Sequence, residues 1–333
     1  CVQCGQCAAV CPVGAIIETS HIEFVLKALD NPQKHVVVQT APAIRAALGE
    51  CFGLPPGTLV TGKMVSALRE LGFDAVFDTN FAADLTIMEE GTELLTRLRN
   101  HFILGQETRL PQFTSCSPGW INYAEHYFPE ILDKISTCKS PQQMFGAMAK
   151  TYYAQKANVD PADMVVVSVM PCTAKKFEAV RPEMRSSGYQ DVDYVLTTRE
   201  LGDLIKMGGV DFIALPDGEM DSPLGLSTGA ADIFANTGGV MEAALRTVHA
   251  VTTGRSLASE DLHIEALAGL EGVKTASVTL SGTVDAWSFL EGKEVKVAVA
   301  HGLGNAASVV EYIRDHPAEF QFIEVMTCPG GCI

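Results

Sequence analysis

The segment Phe113–Trp120 (FTSCSPGW) carries a cysteine and a serine directly after a short apolar run. Two later segments repeat this arrangement: Met170–Cys172 (MPC) and Met326–Cys332 (MTCPGGC). Since cysteine follows a strand-like run in each segment, we expect the thiols to gather at strand ends. Thiolates are the usual protein ligands of iron-sulfur clusters. The three segments therefore predict one soft-metal site assembled from distant parts of the chain.

Strand-like and helix-like segments alternate along the rest of the sequence. The runs His35–Ala41, Met164–Met170 and Val295–Ala300 are rich in β-branched residues and are typical of strands buried on both faces of a parallel sheet. Alternation with helices predicts an α/β fold, with two lobes of mainly parallel sheet flanking a central metal-cluster cleft. The expected boundaries are a first lobe over about 20–155, a second lobe over about 156–320 and a final cluster-binding strand over 321–333. The sequence also predicts a helix over 141–155, a hairpin near 276–285 and a loop over 216–232.

The composition indicates an acidic globular protein. The chain has 333 residues, of which 47% are hydrophobic, and it can therefore bury a large core. Its formal net charge of −16 argues against nucleic-acid binding, which needs a basic surface. No apolar run approaches the length of a membrane span, and the first residues do not resemble a signal peptide.

The ten cysteines occur mostly in short clusters, which favours metal ligation in a reducing compartment over disulfide bonding. This indicates a cytoplasmic location, with the periplasm left open. The two isolated cysteines, Cys51 and Cys138, are expected to be small buried apolar residues.

The first residues form a compact cysteine run, made of Cys1, Cys4, Cys7 and Cys11 and followed by Pro12. The spacing C-x2-C-x2-C-x3-C-P wraps three thiolates around one 4Fe-4S cluster, while the fourth cysteine ligates the other cluster in two-cluster ferredoxins. A zinc site fits less well, because zinc ribbons pair two separated knuckles. We therefore expect residues 1–19 to be the end of a ferredoxin-like α+β domain with further ligands upstream.

A second motif competes with the cysteine segments. The pattern Gly302-x-Gly304-x-x-Ala307 follows a predicted strand and opens a predicted helix, and Glu324 lies about 20 residues further on, as in a dinucleotide-binding fingerprint. However, only one strand-helix unit remains before the chain ends, and the last cysteine segment follows Glu324 at once. We therefore interpret the glycines as a tight turn.

Charged residues accompany the cysteine segments. Glu90, Glu93 and Arg97 lie three and four residues apart on a helix predicted over 83–100, so they share one face. Lys175 follows Cys172 closely in the sequence. From spacing alone, a solvated charged face is the more common interpretation, and a functional one stays open beside it.

Three ordered motifs carry a family resemblance. The segments Thr114–Trp120, Met170–Glu178 and Glu324–Cys332 resemble, in order and spacing, the signature motifs of iron-only (FeFe) hydrogenases. The resemblance covers essentially the whole chain, including the ferredoxin-like run. It implies reversible interconversion of hydrogen with protons and electrons at an H-cluster, with 4Fe-4S clusters passing the electrons. The H-cluster joins a 4Fe-4S cubane through one thiolate to a di-iron unit with CO, cyanide and a dithiolate bridge.

The resemblance also implies roles for individual residues. By motif position, Cys172, Cys328 and Cys332 are cubane ligands, and Cys332 also bridges to the di-iron unit. Cys116 is the proton-relay thiol, and its reference pKa of about 8.5 suits proton exchange near neutrality. The other implied positions are a proton path to solvent through Glu90, Ser136, Glu93 and Arg97, a cation beside a cyanide at Lys175, and a pocket lined by Pro42, Met170 and Met326.

Two features depart from the family pattern. Ser117 stands where the family has the remaining cubane cysteine. A serine oxygen is a harder and more basic ligand, and as an alkoxide it is expected to lower the cubane's reduction potential; water or an altered arrangement at that iron is the alternative. The chain also starts without Met and stops at Ile333, before a glycine-rich segment of the family. We therefore expect a piece of a longer protein.

Other functions stay open beside the enzyme. A hydrogenase-like iron-sulfur assembly or scaffold protein keeps the cysteine motifs without evolving hydrogen, and a redox-sensing hydrogenase would use an altered ligand to retune its potential. A simple electron-transferring ferredoxin module leaves the chain after Cys11 unexplained. The retained proton path favours the enzyme over the scaffold. The enzyme implies two kinds of partner: ferredoxin or another electron-transfer protein or subunit, including an NAD(P)-linked acceptor, and maturation proteins for the di-iron unit.

Overall fold

The computed structural model describes residues 1–106, 109–222, 227–258, 263–267, 270 and 272–331. Its strands are β1 (His35–Thr40), β2 (Ala75–Asp78), β3 (Gln112–Phe113), β4 (Met164–Met170), β5 (Tyr194–Thr197), β6 (His263–Ala266), β7 (Val273–Thr279), β8 (Glu294–His301) and β9 (Phe322–Met326). Its α-helices are α1 (Gln6–Ala9), α2 (Ile22–Leu29), α3 (Ile44–Ala47), α4 (Thr61–Glu70), α5 (Asn80–Phe102), α6 (Pro118–Tyr127), α7 (Pro141–Met148), α8 (Ala154–Ala157), α9 (Ala174–Ala179), α10 (Thr198–Met207), α11 (Gly229–Asp232), α12 (Gly239–Thr253) and α13 (Leu303–Asp315). Shorter 3-10 helices cover Leu48–Phe52, Pro129–Lys134, Ile233–Ala235 and Asp285–Leu290, and a π-helix covers Ala149–Tyr153.

The described residues group into two compact units, each built from separate stretches of the chain. The four-stranded unit takes its residues from 3–82 and 141–228, and the five-stranded unit takes its residues from 1–2, 83–140 and 229–333. The expected division near residue 155 is therefore wrong. The reason is strand pairing: β3 joins the sheet of β8 and β9, whereas β4 and β5 join that of β1 and β2.

The four-stranded unit contains a fully parallel sheet in the order β2-β1-β4-β5. Its central strands are buried on both faces, as their continuous β-branched runs predict, and Val36, Val37 and Val38 expose at most 2% of their surface. Buried residues of α2, α4, α7 and α10 complete the same core. At the sheet edge, Asp221 bonds to β2 through its backbone N–H, which donates to the Val76 carbonyl at 2.8 Å.

The five-stranded unit contains a mixed sheet in the order β3-β9-β8-β7-β6. β3, β9 and β8 are parallel, and β7 and β6 are antiparallel additions. Successive residues of β9 face opposite sides of the sheet. Phe322 and Met326 pack with α5 and α12 on one side, and Ile323 and Val325 pack with α6 and α13 on the other. Together the two sheets confirm the α/β class with mainly parallel strands.

Two local expectations differ from the structure. In place of a hairpin over 276–285, β7 pairs antiparallel with β8, and the 3-10 helix Asp285–Leu290 lies in the connection between them. The chain turns away after β7 because Gly282 adopts φ +69°, a left-handed conformation that strands do not contain. The helix expected over 141–155 is interrupted by the π-helix, where Thr151 bonds through its side chain to the Ala147 carbonyl at 2.7 Å.

The long helix α5 supplies the charged residues singled out above. It begins where the Asp78 carboxylate accepts the Asn80 N–H at 3.0 Å, and it continues for 23 residues. Its acidic and basic residues break the apolar pattern that a membrane span needs. Across the described ranges, no helix is both long enough and apolar enough to cross a membrane.

Candidate metal centre

In the four-stranded unit, predicted pocket residues follow the carboxyl ends of two neighbouring parallel strands. β1 and β4 stay paired to their ends, where the Ala41 N–H donates to the Val169 carbonyl at 3.0 Å. Pro42 comes directly after this contact, and Met170 and Cys172 come at the end of β4. The pairing therefore brings these three residues to one edge of the sheet.

The Cys172 thiol lies among groups that act on its charge in opposite directions. Burial raises the pKa of Cys172, while the backbone N–H groups of Ala174 and Lys175 and the Lys175 ammonium oppose that rise. The Lys175 ammonium in turn donates to both carboxylate oxygens of Glu178, at 3.1 and 3.0 Å. Gln142 holds the same carboxylate through its side-chain amide at 3.0 Å. The loop thus holds the Lys175 ammonium in place close to the thiol through its ion pair with Glu178.

In the amino-terminal run, Cys11 is surrounded by backbone amides. The N–H groups of Ile16, Val13 and Ala15, in that order of strength, lower the pKa of the Cys11 thiol. Amides that converge on sulfur stabilise the thiolate, which is the metal-binding form. The local conformation after Cys11 therefore fits a metal ligand.

The amino-terminal run also packs against the loop that follows Cys172. The Thr173 hydroxyl donates to the Gln3 carbonyl at 3.3 Å. Gly5 lies so close to this hydroxyl that an added Cβ atom would approach it to 2.5 Å, and its φ of +79° also favours glycine. The contact brings the chain around Cys4 next to the predicted ligand loop.

In the five-stranded unit, Ser117 bonds directly to the last cysteine segment. Its Oγ lies 2.6 Å from the Thr327 Oγ1 and accepts the Thr327 N–H at 3.2 Å. Ser117 is 4% exposed, and the neighbouring Gly119 approaches Thr327 so closely that a Cβ there would lie 2.8 Å from its side chain. These contacts bring the predicted oxygen ligand beside the residue that precedes Cys328.

The loop after β9 is held by further hydrogen bonds. The Gly330 N–H donates to the His301 ring at 3.3 Å, and the Thr237 N–H donates to the Gly330 carbonyl at 3.2 Å. Gly330 and Gly331 have φ values of +83° and +100°, so side chains would be strained there. The loop conformation around Cys328 is therefore specified by its sequence; Cys332 lies outside the described residues.

The predicted proton-path residues come together around the Glu93 carboxylate. Ser136 Oγ donates to Glu93 Oε2 at 2.8 Å, and the Thr137 N–H donates to the same oxygen at 3.0 Å. The Arg97 guanidinium donates to Glu93 Oε1 at 2.7 Å and to the Ile135 carbonyl at 3.0 Å. The sequence spacing did not decide whether this charged helix face is solvated or functional. In the structure its side chains belong to a hydrogen-bonded network, because the 135–137 loop covers them.

Cys138 belongs to this network and is not the simple apolar residue that was expected. Its Sγ lies 3.9 Å from Glu93 Oε2, and its N–H donates to Ser136 Oγ at 3.2 Å. Burial raises the pKa of the Cys138 thiol to about 12, with the charge of Glu90 adding to the effect and the Ser136 hydroxyl opposing it. The thiol therefore remains protonated at neutral pH.

Ser115 connects the network to the predicted relay thiol. Its hydroxyl donates to the Cys138 carbonyl at 2.6 Å, and the Ser136 N–H donates to the Phe113 carbonyl at 2.8 Å. These two bonds tie the chain that carries Cys116 to the loop that carries Ser136. Motif position alone did not reveal the role of Ser115, because its partner lies in a loop with no motif of its own.

Glu90 is the most perturbed group of the path. Its side chain is 2% exposed, and one carboxyl oxygen, Oε1, has no hydrogen-bond partner within the described chain. Burial raises the pKa of Glu90 to about 8; Glu93 and Glu324 add to the rise, and Ser136 and Arg97 oppose it. A carboxyl group that titrates near neutrality can both accept and release protons there.

Glu324 has a structural role that the sequence motif did not reveal. Its carboxylate oxygens accept the N–H groups of Gly238 and Met241, each at 2.7 Å, at the start of α12. It is fully buried, and burial raises its pKa to about 7 despite these amides. Both oxygens are therefore occupied, which excludes the ribose-binding role of a dinucleotide fingerprint. The sequence signal for this structural role is that Glu324 is the one charged residue within the otherwise apolar strand FIEVM.

The donor groups fit an iron-sulfur centre. The nine described cysteines are free thiols, and no three His, Cys, Asp or Glu side chains in the described ranges are arranged to hold a single metal ion. Within the five-stranded unit, Cys328 follows β9, and Ser117 supplies a buried oxygen that contacts the residue before Cys328. Soft thiolates with one harder oxygen are chemically suited to iron in a cluster.

Comparison with known proteins gives consistent results. The sequence model of the family described as "Iron only hydrogenase large subunit, C-terminal domain" matches residues 34–333. The whole chain is 55% identical to the NADP-reducing hydrogenase subunit HndD of Solidesulfovibrio fructosivorans, covering 55% of that protein. It is also 48% identical to the periplasmic [Fe] hydrogenase large subunit of Nitratidesulfovibrio vulgaris, covering 83% of it. The chain thus spans about half the length of the first of these relatives.

A solved structure and a more distant relative extend the comparison. The [FeFe]-hydrogenase HydA1 of Chlamydomonas reinhardtii, solved as a variant, is 41% identical and superposes with a TM-score of 0.82 over 94% of this chain and 83% of that one. Cytosolic iron-sulfur assembly component 3 of Mus musculus is 33% identical over the whole chain and 69% of its own length. By the family match and these identities, the chain belongs to the iron-only hydrogenase large-subunit family.

Proposed function

We propose that this chain is the catalytic part of a hydrogenase, which interconverts hydrogen with protons and electrons. The observation that carries the proposal is the network around Glu93, where Ser136, Arg97 and the 135–137 loop converge on one carboxylate. A scaffold that only holds a cluster has no need for such a network. An enzyme that moves protons between a buried site and solvent does need one.

In this proposal the H-cluster, when bound, supplies the redox chemistry of hydrogen at iron. Cys172, Cys328 and Cys332 are the cubane thiolate ligands, and Ser117 is the fourth ligand. By motif position, Pro42, Met170 and Met326 would border the cluster, and Lys175 would offer its positive charge to an anionic ligand. Cys1, Cys4, Cys7 and Cys11 hold 4Fe-4S clusters that exchange electrons with a partner.

Protons move along side chains of the five-stranded unit. Cys116 would hold a proton at its thiol, and Glu90 would receive it because this carboxyl titrates near neutrality. Ser136 relays the proton to Glu93 through the 2.8 Å hydrogen bond between them. Arg97 holds Glu93 in position through the 2.7 Å hydrogen bond between them.

We further propose an electron-transfer protein or subunit as partner, with ferredoxin or an NAD(P)-linked protein as acceptor, and maturation proteins that supply the di-iron unit. The relative that is named an NADP-reducing hydrogenase subunit supports the NAD(P)-linked choice. A cytoplasmic location suits that choice, although one relative is named periplasmic.

The test is infrared spectroscopy on anaerobically matured protein that includes the ligand cysteines. We expect CO and cyanide stretching bands, together with hydrogen uptake or evolution. The matched variants are Cys328→Ala, which should lose the bands with the ligand, and Cys116→Ala, which should keep the bands and lose turnover by at least about 100-fold. Absence of the bands in wild-type protein would contradict the proposal and favour the assembly-protein alternative.

A further inference from the structure

Two buried carboxyl groups, those of Glu90 and Glu324, border the core that packs between the five-stranded sheet and helices α5 and α12. Glu90 lies on α5 between Ile87 and Leu94, three residues after one and four before the other, so it shares their face. Glu324 lies on β9 between Phe322 and Met326, which face the same core. Ile87, Leu94, Phe322 and Met326 all belong to one core cluster, so Glu90 and Glu324 lie on helix and strand faces that border the same cluster.

The two groups have unequal hydrogen bonding. Glu324 accepts the Gly238 and Met241 N–H groups at 2.7 Å each, at the amino terminus of a 15-residue helix whose partial positive charge favours the anion. Glu90 Oε1 has no hydrogen-bond partner among the described residues, so its environment favours the neutral acid. When one of the two groups is ionised, the amides therefore favour the negative charge on Glu324 over one on Glu90.

The remaining charges around Glu90 are few. Glu93 and Arg97 lie on its own helix and form an ion pair with each other at 2.7 Å. The 135–138 loop places the neutral Cys138 thiol and the Ser136 hydroxyl near Glu90, and β9 contributes the charge of Glu324. Glu93 and Glu324 raise the pKa of Glu90, while the Ser136 hydroxyl and the Arg97 guanidinium, which is paired with Glu93, oppose them.

We propose that Glu324 is a positioning residue of the proton path: held as a carboxylate by the first turn of α12, it keeps the neighbouring carboxyl of Glu90 protonated and ready to transfer its proton. This inference rests on the proposed function for its purpose, but the coupling between the two groups is a property of the fold. Two like charges beside one apolar core cannot both form without cost, so the pair shares a proton near neutral pH.

The test is a carboxyl titration by pH-difference infrared spectroscopy on the protein as purified, comparing wild type with Glu324→Gln. Removing the negative charge should make Glu90 ionise about one pH unit lower. Band assignment comes from Glu90→Gln. The matched control is Glu291→Gln, which removes another carboxylate that accepts two backbone N–H groups, from Gly282 and Thr283, but on an exposed loop. The control should leave the Glu90 titration unchanged.

The two single variants together keep the inference testable if one of them folds poorly. By reciprocity, Glu90→Gln should lower the pH at which Glu324 ionises, just as Glu324→Gln lowers the pH at which Glu90 ionises. Two results would overturn the coupling. One is a wild-type titration curve equal to the sum of the curves of the two single variants; the other is an unchanged ionisation pH of Glu90 in Glu324→Gln.

The activity readout separates this inference from the proposed function. In turnover assays, the alkaline limb of the pH profile should move to lower pH in Glu324→Gln and stay in place in Glu291→Gln. A protein that shows the infrared coupling but no turnover refutes the proposed function alone. A protein that turns over hydrogen with no coupling refutes this inference alone.

Discussion

At the scale of single residues, Ser117 shows how a departure from the family pattern is accommodated. Its oxygen has two neighbours on Thr327, the hydroxyl at 2.6 Å and the N–H at 3.2 Å. Hydrogen bonds to an oxygen favour its more anionic form, which is the form that binds iron. Thr327 directly precedes Cys328, so the two proposed ligand positions are fixed relative to each other within one unit.

We therefore expect Ser117→Cys to raise the cubane's reduction potential, because a thiolate is a softer and less basic donor than an alkoxide. The shift should be on the order of 100 mV, within the range over which ligands and surroundings tune iron-sulfur clusters. A redox titration followed by EPR measures it. Ser115→Cys makes the same exchange two residues away and should leave the potential unchanged. If Ser117→Cys behaves like this control, Ser117 is not a ligand.

At the scale of secondary-structure elements, the start of α12 depends on glycine and on a distant carboxylate. Gly238 precedes the helix with φ +90° and offers no side-chain cap, so Glu324 from β9 supplies the missing hydrogen bonds. Gly239 follows, and a Cβ atom added there would overlap the carbonyl oxygen of Ile233. The position of α12 against the sheet therefore requires a residue without a side chain.

Gly239→Ala should destabilise the protein by about 2–3 kcal/mol, since backbone must move to admit the methyl group. The measurement is the urea unfolding midpoint followed by circular dichroism. Gly304→Ala is the control, because it also changes a glycine near the start of a helix, α13, yet its Cβ would meet nothing within 4 Å. We expect that control to be neutral or stabilising by up to about 1 kcal/mol. Equal midpoints for the two variants would contradict the steric argument.

The elements that could be predicted are those with local signals. Continuous β-branched runs predicted the bounds of β4 and, to within one residue at each end, those of β1 and β8. The spacing of Glu90, Glu93 and Arg97 predicted their common face. The bonding of that face could not be predicted, because its partners lie in the 135–138 loop. The unit boundaries were missed for a similar reason: the two-residue strand β3 pairs with β9, about two hundred residues away, and no local pattern encodes that pairing.

At the scale of the whole molecule, buried acids set the response to pH. The folded state raises the pKa of Glu90 to about 8 and that of Glu324 to about 7, mainly through burial. An unfolded chain releases these protons near the ordinary value of 4.5. Their stabilising contribution is thus complete below about pH 4.5 and is lost as the pH rises toward 8.

A buried histidine acts in the opposite direction over a lower range. His21 accepts the Val195 N–H through its ring at 3.1 Å, and burial lowers its pKa below 6.5. Its contribution is therefore complete above pH 6.5 and is lost as the pH falls below that value. Well above pH 6.5, His21 is neutral in both the folded and the unfolded chain, so its contribution no longer changes as the pH rises toward 8.

Between about pH 6.5 and 8 we expect the free energy of unfolding of Glu90→Gln to depend less on pH than that of wild type. A group that is protonated when folded and ionised when unfolded contributes a slope of about 1.4 kcal/mol per pH unit, so the difference should reach about 2 kcal/mol between pH 6.5 and 8. Urea unfolding at the two pH values measures it. Glu89→Gln, which changes the adjacent exposed carboxylate of the same helix, should follow the wild-type slope. A Glu90→Gln slope equal to that of Glu89→Gln would mean that Glu90 ionises normally in the folded protein, and the proton path would then lack its neutral carrier.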